Sequence, residues 1–473
     1  MSLVTDLTAL LGAAHVLTGA DTARYRDEPT TQYPADPAVV VRPGSTDQVA
    51  AVLRIAARHK IAVIPCAGRT GITGAISNTG GLMLSVERLN QIREIRADAK
   101  IAIVGAGVIL STLHDAAEAE GLYFPLWFGA RGSAMIGGVL STNAGGSNVL
   151  RYGSTRSLCL GLEVVLADGQ ILNLMSELHK DNSGYDLKQM FIGAEGTLGV
   201  ITAAVMKLVP KPRAYATAML AIRSLPDALA LLNRLQTATG GMVEAFEYMP
   251  DSYMRRLARI RPDIRQPFDP IQPVTLLVEL GAGRPGDATP GDDGSLPVTT
   301  LLETVLAQMM DEGVLLDAEI AQSETQRLAL WQRRELAAEV MQAVQPAIDT
   351  DISLPLDKIP AFMDRIQARL ALIDPQAETV TVAHLGDGNL HFSVYPSRTD
   401  DQIYTEVVEA VEEEVAQVQG SFSAEHGVGV MKLGSMARRK SPVALAVMRA
   451  IKAALDPQGR MNPGKVIPEV GRN

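Results

Sequence analysis

The 473-residue chain has little cysteine and no long apolar run. Cys66 and Cys159 are its only cysteines and are not spaced as a CxxC pair, so no disulfide framework is expected and a reducing cytoplasm is the predicted compartment. No uninterrupted apolar run reaches the length of a membrane span, which predicts a chain without a transmembrane segment. The N-terminal apolar stretch contains Asp6 and no preceding Lys or Arg, unlike a secretory signal.

The chain also lacks a run of basic residues. Its 43 Lys and Arg residues are outnumbered by 53 Asp and Glu residues, for a formal net charge of −10, and no cluster could follow a phosphate backbone. Nucleic acid is therefore not an expected partner. Hydrophobic residues make up 47% of the chain and charged residues 20%, which is typical of a soluble globular protein. The length suits two or three domains.

The prolines of "PKPRA", residues 210–214, separate two regions with different patterns of predicted secondary structure. Before them, short β-branched runs alternate with Gly-rich turns, and "STDQVAAVLRIAARHK" predicts a helix capped by Ser45 or Thr46. Strands are predicted for "IAVIP", "IAIVGAGV", "GVITAAVMKLV" and "GLEVVLADGQIL", the last turning at Asp168 and Gly169. After them, amphipathic helix patterns, including "ETQRLALWQRRELAAEVMQAV", flank strand-like "VTLLVELG" and "TVTVAHLG".

Glycine pairs and triplets mark three stretches before residue 150. Backbone N–H groups near such glycines can approach a ligand and form anion-binding concavities, so the three stretches together predict a phosphate-bearing cofactor. The alternative for each glycine is an ordinary tight turn. "VGAGVIL", with Gly105 and Gly107, lacks the third glycine and the following acidic residue of a dinucleotide fingerprint, so nicotinamide binding is not expected there.

Two of the seven histidines lie in "AHLGDGNLHF", residues 383–392. Asp387 and Gly388 predict a two-residue type I′ hairpin turn, which would place His384 directly opposite His391 on one face. Two imidazoles that close can share a divalent metal, and Glu425 of "SFSAEHGVGVMK" is the best candidate for a third ligand. The alternative is that the two histidines only make hydrogen bonds within the hairpin.

Several motifs, taken in order, resemble one flavoprotein family. "PCAGRTGITGA", "GARGSAMIGGVLSTNAGGSNVLRYGSTR", "MFIGAEGTLGVIT" and "DPQGRMNPGK" are similar to the FAD-binding domain of the vanillyl-alcohol-oxidase or p-cresol-methylhydroxylase type. "AHLGDGNLHF" and "SAEHGVGVMK" resemble the metal-assisted D-2-hydroxyacid dehydrogenases of that superfamily, which act on D-lactate, glycolate or D-2-hydroxyglutarate. The resemblance covers nearly the whole chain.

The resemblance implies an α+β fold in three stretches. Residues 1–212 would form a two-subdomain FAD-binding domain, residues 213–425 a substrate domain with an antiparallel sheet, and residues 426–473 a segment that returns to the FAD domain. The residues expected to hold FAD are Pro65, Ala67, Gly68, Arg69, Thr70, Gly71, Gly74, Ala75, Pro125, Gly129, Ser133, Ile136, Gly137, Gly138, Thr142, Asn143, Gly145, Gly146, Tyr152, Gly153, Glu195, Gly196, Gly199, Ile201, Asn462 and Lys465. The first loop has Arg69 and no histidine, which predicts non-covalent FAD.

The implied reaction is oxidation of a D-2-hydroxy acid to the 2-oxo acid, with hydride transfer to flavin N5. His384, His391 and Glu425 would bind zinc or manganese, and the metal would lower the pKa of the substrate hydroxyl. His426 is the expected general base, with support of Glu425 as its alternative role, and Arg334 is expected to bind the substrate carboxylate. Its neighbour Arg333 is expected on a solvated helix face. The implied partners are a quinone, flavoprotein or cytochrome as electron acceptor and a second copy of the chain in a homodimer.

Three positions depart from the pattern of the hydroxyglutarate enzymes. Asp349 stands where a lysine would hold a second carboxylate, Ala338 where a threonine would, and Ser393 where asparagine is usual. A monocarboxylate such as D-lactate and D-2-hydroxyglutarate therefore stay open as alternatives. So do a metal-independent flavin oxidase that uses O₂ and a zinc hydrolase without flavin.

Overall fold

The structure is a computed structural model that describes residues 2–26, 32–292 and 294–469. The chain divides into two units. The first consists of Met1–Gly145, Gly153–Pro210 and Glu425–Asn473, and the second of Gly146–Tyr152 and Lys211–Ala424. The main boundary falls in the proline-containing stretch 210–214. Residues 146–152 belong to the second unit, although the sequence boundaries put them in the first domain.

The strands are short in the first unit and longer in the second. In chain order they are β1 Val16–Leu17, β2 Ala35–Asp36, β3 Val39–Val41, β4 Val63–Cys66, β5 Asn78–Thr79, β6 Leu82–Ser85, β7 Ile92–Arg96, β8 Ile101–Gly105, β9 Leu122–Tyr123, β10 Cys159–Val165, β11 Ile171–Leu174, β12 Val200–Lys207, β13 Val209–Pro210, β14 Ala214–Ile222, β15 Val243–Pro250, β16 Val274–Ala282, β17 Leu315–Ile320, β18 Ile348–Ser353, β19 Glu378–His384 and β20 Asn389–Tyr395.

The α-helices are longest in the second unit. In chain order they are α1 Leu3–Leu11, α2 Thr46–Arg58, α3 Leu110–Ala119, α4 Ile136–Thr142, α5 Val149–Tyr152, α6 Thr155–Leu158, α7 Lys188–Phe191, α8 Leu225–Thr239, α9 Asp251–Ile260, α10 Pro285–Ala288, α11 Pro297–Asp311, α12 Glu324–Glu335, α13 Ala337–Gln342, α14 Ile359–Ile373, α15 Asp401–Gln417, α16 Leu433–Arg439 and α17 Pro442–Leu455. Short 3₁₀ helices cover Ala13–His15, Gly19–Tyr25, Gly129–Gly132 and Leu356–Lys358.

The described residues of the first unit contain two main sheets. One has the strand order β1-β3-β6-β4, with parallel pairing of β3 and β4 to β6, and the other is the antiparallel sheet β11-β10-β12-β8-β7. The C-terminal tail returns to the first of these sheets, where Met461 forms a parallel bridge with Val63 of β4. The tail therefore completes the unit that the N-terminal residues begin.

The second unit is built on an antiparallel sheet of order β17-β14-β16-β15-β19-β20-β18. The helices α8, α11, α14 and α15 bury one apolar face of this sheet, and α9, α12 and α13 cover the other. Burial on both faces explains why β16 reads as an almost continuous apolar run instead of an alternating one.

Most predicted elements are confirmed. The helix at 46–58 begins after Ser45, whose hydroxyl accepts a hydrogen bond from the Gln48 N–H. The β10–β11 turn lies at Asp168 and Gly169, where Gly169 has a φ of +83°. The prediction of one helix through "ETQRLALWQRRELAAEVMQAV" is wrong, because this stretch forms two helices that are separated at Leu336. The mixed helical and strand content confirms the predicted α+β class.

A search of the described helices finds none with the length and apolar character needed to cross a bilayer.

Candidate active site

Polar side chains collect on one face of the seven-stranded sheet of the second unit. Directly opposed residues of antiparallel strands share a face, and successive residues alternate between faces. Glu247 of β15 is opposite His384 of β19. Val382, two residues before His384, is opposite His391 of β20, which in turn is opposite Asp351 of β18. We call this surface, which carries Glu247, His384, His391 and Asp351, the site face.

The predicted hairpin turn is wrong, although its two histidines do lie together. His384 pairs with Asn389 instead of His391, so residues 385–388 form a four-residue loop. Of the two expected turn residues only Gly388 has a positive φ, +83°. The register differs from the predicted one by two residues, which leaves every side chain on its predicted face. The two imidazole rings are therefore diagonal neighbours, with centroids 5.4 Å apart.

A buried carboxylate on the site face joins an arginine to a histidine. One oxygen of Glu247, Oε1, lies 2.8 Å from His384 Nδ1, and the other, Oε2, accepts a hydrogen bond of 2.7 Å from Arg334 Nε. Burial alone would raise the pKa of Glu247, but the charges and hydrogen bonds of His384 and Arg334 hold that pKa below its usual value. Each oxygen of the Glu247 carboxylate therefore has its own partner on the site face.

Arg334, the predicted carboxylate-binding residue, lies at the end of α12 and is 9% exposed. Its Nη2 atom is buried and has no hydrogen-bond partner among the described residues. An unsatisfied guanidinium nitrogen at a buried site costs free energy, and a carboxylate is the group that matches it best. Arg334 therefore fits the predicted role.

Arg333 is not on a solvated helix face, and that prediction is wrong. It is buried, with Nε donating to the Arg265 carbonyl and Nη1 to the Ala329 carbonyl, both at 3.0 Å. Burial lowers the pKa of Arg333. Because its donors go to backbone carbonyls, Arg333 holds the end of α12 in place.

A second buried glutamate fixes α12 one strand further along the sheet. Glu279 of β16 accepts hydrogen bonds from Arg327 Nε at 2.7 Å, from the Trp331 indole at 2.8 Å and from the Thr217 hydroxyl at 2.6 Å. Arg327, Trp331 and Arg334 recur at helical spacing, so α12 turns one donor face toward the sheet. This arrangement sets the position of Arg334.

Asp351 contacts two residues of β20, Asn389 and His391, at one end of the site face. Its Oδ1 accepts a hydrogen bond of 2.9 Å from the Asn389 amide and lies 3.7 Å from His391 Nδ1. Its Oδ2 accepts a hydrogen bond of 3.1 Å from the backbone N–H of Ala424, the last residue of the second unit. Two residues along β18, the Asp349 carboxylate accepts a hydrogen bond from the buried Ser393 hydroxyl.

Glu425 and His426 begin the last stretch of the first unit. The Glu425 Oε1 atom lies 3.9 Å from His426 Nε2. The backbone that follows is held by Glu195, which accepts hydrogen bonds from Val428 N at 2.7 Å and Gly429 N at 2.9 Å. Burial raises the pKa of Glu195. The Thr73 carbonyl accepts two more hydrogen bonds, from the N–H groups of residues 430 and 431.

The predicted FAD loops meet within the first unit. Gly68 packs closely on the backbone of Ser133. A Cβ atom on Gly68 would lie 2.3 Å from the Ser133 carbonyl oxygen. A Cβ on Gly196 would lie 2.9 Å from Pro65. The Asn462 amide donates to the carbonyls of Ala75, at 3.0 Å, and Glu195, at 2.7 Å. The loops at 65–75, 133–138 and 195–196 therefore converge with the tail residue Asn462.

Two features of these loops fit a bound cofactor. No atom of the described residues lies within 4 Å of the Cβ position of Gly71, so the backbone there is open to a ligand. The Asn462 Oδ1 atom is buried and has no hydrogen-bond partner among the described residues. The 65–75 loop, with Arg69 at a φ of +57°, contains no histidine that could form a covalent link to flavin.

Other predicted FAD residues also make contacts within the protein. Ile136 and Ile201 are buried, and a Cβ on Gly199 would lie 2.8 Å from Val164. The Asn143 side chain accepts hydrogen bonds from Ser154 and from the backbone of residue 156. Gly146 and Tyr152 lie in the second unit, where the Tyr152 hydroxyl donates to Glu244 at 2.7 Å.

Sequence reasoning missed Glu247 and Asp351. Glu247 stands in "VEAFEYMP" and bonds to residues 87 and 137 positions away. Asp351 stands in "DTDISLP", residues 349–355, two positions after Asp349. The sequence signal for such residues is an ionisable side chain inside an otherwise apolar strand. A carboxylate buried there requires a partner, which marks it as a candidate site residue.

Comparison with known proteins shows the family. Residues 37–175 match the family described as "FAD binding domain", and residues 211–466 match "FAD linked oxidases, C-terminal domain". The chain is 36% identical over 472 residues to D-2-hydroxyglutarate dehydrogenase of Stutzerimonas stutzeri (strain A1501), covering 98% of each chain. It is 38% identical over 436 residues to the mitochondrial D-2-hydroxyglutarate dehydrogenase of Bos taurus, covering 91% of this chain and 77% of the relative.

A solved structure of p-cresol methylhydroxylase with substrate bound shares the fold, with a TM-score of 0.74 at 16% identity over 100% of this chain and 97% of that one. The fold and the converging glycine loops are those of an FAD-binding flavoprotein. The chain belongs to the FAD-linked oxidase family, as its resemblance predicted, and is an oxidoreductase. The FAD-binding match favours this class over a zinc hydrolase.

Proposed function

We propose that the chain oxidises a D-2-hydroxy acid to the corresponding 2-oxo acid with FAD as hydride acceptor. The observation that carries the proposal is the buried Nη2 of Arg334, for which the described part of the chain offers no hydrogen-bond partner. Arg334 is also the residue that Glu247 connects to His384. A substrate carboxylate is the natural partner for that nitrogen. The names of the bacterial and mitochondrial relatives support the same substrate class.

FAD would be held without a covalent bond by the loops that meet at Asn462. Within them Gly68 and Gly74 let the loop pack against Ser133 and Tyr33, and Gly71 leaves its backbone open to the cofactor. Asn462 offers its Oδ1, which has no partner in the described part of the chain, as an acceptor. When bound, FAD supplies the two-electron acceptor for the substrate hydride.

His384, His391 and Glu425 would hold a divalent metal, with zinc or manganese as the candidates. Support comes from the imidazole pair, whose centroids lie 5.4 Å apart, with His384 Nδ1 2.8 Å from Glu247 and His391 Nδ1 3.7 Å from Asp351. The chain path adds to it, because Glu425 directly follows Ala424, whose N–H donates to Asp351. Two histidines and a carboxylate form an open coordination set. When bound, the metal would polarise the substrate hydroxyl.

Side chains of the protein carry out the remaining steps, which are substrate binding and proton transfer. Arg334 binds and orients the substrate carboxylate. His426 accepts the proton of the substrate hydroxyl as general base, since a neutral imidazole nitrogen has a lone pair that can take up a proton. Support of the Glu425 side chain is the second role open to His426, since the two side chains approach to 3.9 Å.

Substrate side-chain length is the open part of the proposal. The Asp349 carboxylate beside Ser393 adds negative charge to the site face, which disfavours a second substrate carboxylate and favours a monocarboxylate such as D-lactate. The names of the relatives favour D-2-hydroxyglutarate as the second candidate. We expect the electrons to pass to a quinone, flavoprotein or cytochrome in the cytoplasm.

The test begins with the visible spectrum and metal content of the purified protein. We expect flavin absorbance, release of yellow colour into the supernatant on acid precipitation, and dye-linked oxidation of D-lactate or D-2-hydroxyglutarate without stoichiometric peroxide. Chelator should abolish turnover reversibly, and variants of His384, His391 or Glu425 should lose roughly 100-fold or more while retaining FAD. Full activity of a metal-free, chelator-treated enzyme would contradict the metal site, and stoichiometric peroxide would indicate an oxidase.

A further inference from the structure

We infer that Glu247 is a positioning residue that selects the protonated nitrogen of His384 and fixes the orientation of Arg334. The inference rests on the proposed function for what these two side chains do. Glu247 is 1% exposed, and each of its carboxylate oxygens has its own partner, Oε1 with His384 and Oε2 with Arg334.

Sheet register explains why this contact is fixed. Glu247 and His384 are directly opposed on neighbouring strands β15 and β19, both in the interior of the sheet. Directly opposed residues have Cβ atoms about 4.5–5.5 Å apart. The 2.8 Å contact therefore follows from backbone pairing, with little freedom for either side chain to move away.

The contact determines which tautomer His384 adopts. A carboxylate that accepts from the Arg334 Nε–H at one oxygen offers its other oxygen as an acceptor, so Nδ1 of His384, 2.8 Å away, carries the proton that it donates to Glu247. In the neutral ring the lone pair is then on Nε2, the nitrogen on the opposite side from Glu247. Nε2 is therefore the nitrogen through which His384 binds a metal or accepts a hydrogen bond.

The same carboxylate restricts the guanidinium of Arg334. Its Nε–H is directed at Glu247 Oε2, which fixes the plane of the guanidinium group, and Nη2 in that plane has no hydrogen-bond partner within residues 2–26, 32–292 and 294–469. Arg334 is thus presented to a substrate carboxylate in one orientation. Glu247 couples the two sides of the site, because a single side chain sets both the histidine tautomer and the arginine plane.

Glu247→Gln separates this role from simple packing. Glutamine has nearly the same shape but only one accepting side-chain oxygen. Arg334 can only donate, so that oxygen is expected to face Arg334 and the amide –NH₂ to face His384. Nδ1 must then accept, and the proton moves to Nε2. Glu279→Gln is the matched control, since Glu279 is equally buried and bonds to the same helix through Arg327 and Trp331.

The first measurement is independent of turnover. Long-range ¹H–¹⁵N correlation spectra of FAD-loaded protein with ¹⁵N-labelled histidine, assigned by loss of one signal set in His384→Gln, report the protonated nitrogen. We expect Nδ1–H at His384 in the wild type and in Glu279→Gln, and Nε2–H in Glu247→Gln. A wild-type proton on Nε2, or an unchanged tautomer in Glu247→Gln, would overturn the inference, and the wild-type result decides even if Glu247→Gln fails to fold.

The second measurement is kinetic. Replacing a partner of a ligand residue typically costs 10- to 100-fold in activity or metal affinity, so Glu247→Gln is expected to lose roughly that factor in kcat/KM for the 2-hydroxy acid. A changed tautomer with wild-type kcat/KM would contradict the role of Glu247 in the reaction. If the wild type oxidises no 2-hydroxy acid, the proposed function fails while the spectra still decide what Glu247 does.

Discussion

Arg333 and Arg334 are adjacent and buried, but their guanidinium groups have different partners. Arg333 donates to two backbone carbonyls, whereas Arg334 donates to the Glu247 carboxylate and retains a buried Nη2 without a partner. The sequence predicts a solvated helix face for Arg333 and a carboxylate-binding role for Arg334, and the packing of α12 on the sheet shows that both are buried. Arg334 is therefore the one suited to bind a ligand.

Arg334→Lys should weaken substrate binding more than it weakens the fold. Lysine keeps the charge but cannot donate to Glu247 and to a substrate carboxylate from one rigid plane. Hydrogen bonds to charged groups contribute about 1.5–3 kcal/mol, so KM for the 2-hydroxy acid should rise roughly 10- to 150-fold. The measurement is steady-state kinetics with excess dye acceptor.

Arg333→Lys is the control for that experiment. It should lower the urea midpoint of unfolding, because two backbone carbonyls lose a buried partner, and leave KM near the wild-type value. Equal KM values in wild type and Arg334→Lys would show that Arg334 does not bind the substrate.

At the scale of elements, the β19–β20 hairpin shows which features a sequence can determine. Alternation of apolar and polar residues predicts the face of each side chain correctly, so the two histidines were expected as neighbours and are neighbours. Alternation cannot distinguish a two-residue loop from a four-residue loop, because both give the same faces. The loop is determined instead by contacts that are distant in sequence, such as the hydrogen bond of 3.0 Å from Leu354 N to the Gly388 carbonyl.

Helix α12 gives a second example. Its apolar spacing continues past residue 335 and predicts one long helix. The helix instead ends before Leu336, and a second helix begins after it. The donors that fix α12 to the sheet pair with glutamates 48 to 87 residues away. Local periodicity contains no information about such partners, which is why Glu247 and Glu279 could not be assigned from sequence.

Gly388→Ala should destabilise the hairpin, and Gly386→Ala should do so much less. Gly388 has a φ of +83°, and a Cβ there would lie 2.2 Å from the Leu354 carbonyl oxygen, so the backbone must move. Strained positions of this kind cost about 1–3 kcal/mol. At Gly386 a Cβ would meet only the end of the Leu150 side chain, which can rotate away. Urea midpoints compare the two variants, and equal losses would show that the turn does not depend on Gly388.

For the whole molecule, the main feature is the way one chain supplies two units. It passes between them at residues 145–146, 152–153, 210–211 and 424–425. The change of secondary-structure pattern near residue 210 is visible in the sequence, and the family resemblance implies that the C-terminal segment returns to the FAD domain. The sequence does not predict that residues 146–152 belong to the second unit. Arg151 and Tyr152 form hydrogen bonds to Glu244, which lies more than ninety residues further along the chain.

Asn462→Asp should release FAD although it changes a single group. The Asn462 amide donates to carbonyls of two FAD loops, and a carboxylate would repel both oxygens. Truncation after Asp456 should release FAD as well. The readout is the ratio of flavin to protein absorbance after gel filtration.

Asn173→Asp is the matched control for the loss of flavin. Asn173 is exposed in β11 and uses its side-chain oxygen to accept a hydrogen bond of 3.0 Å from Met175 N, which aspartate can also do. Full flavin occupancy in both Asn462→Asp and the truncated chain would show that the tail is not needed to retain the cofactor.

The return of the tail also has a consequence for biosynthesis. When a ribosome has made residue 210, the glycine loops of the first unit exist but Asn462 does not. About 250 more residues must be added, which takes roughly 12–50 s at 5–20 residues per second. During that time the second unit, whose last residue is Ala424, can be completed and can fold. The N-terminal part of the flavin unit stays incomplete during that time, so we expect the cofactor to bind only after Asn462 has been made.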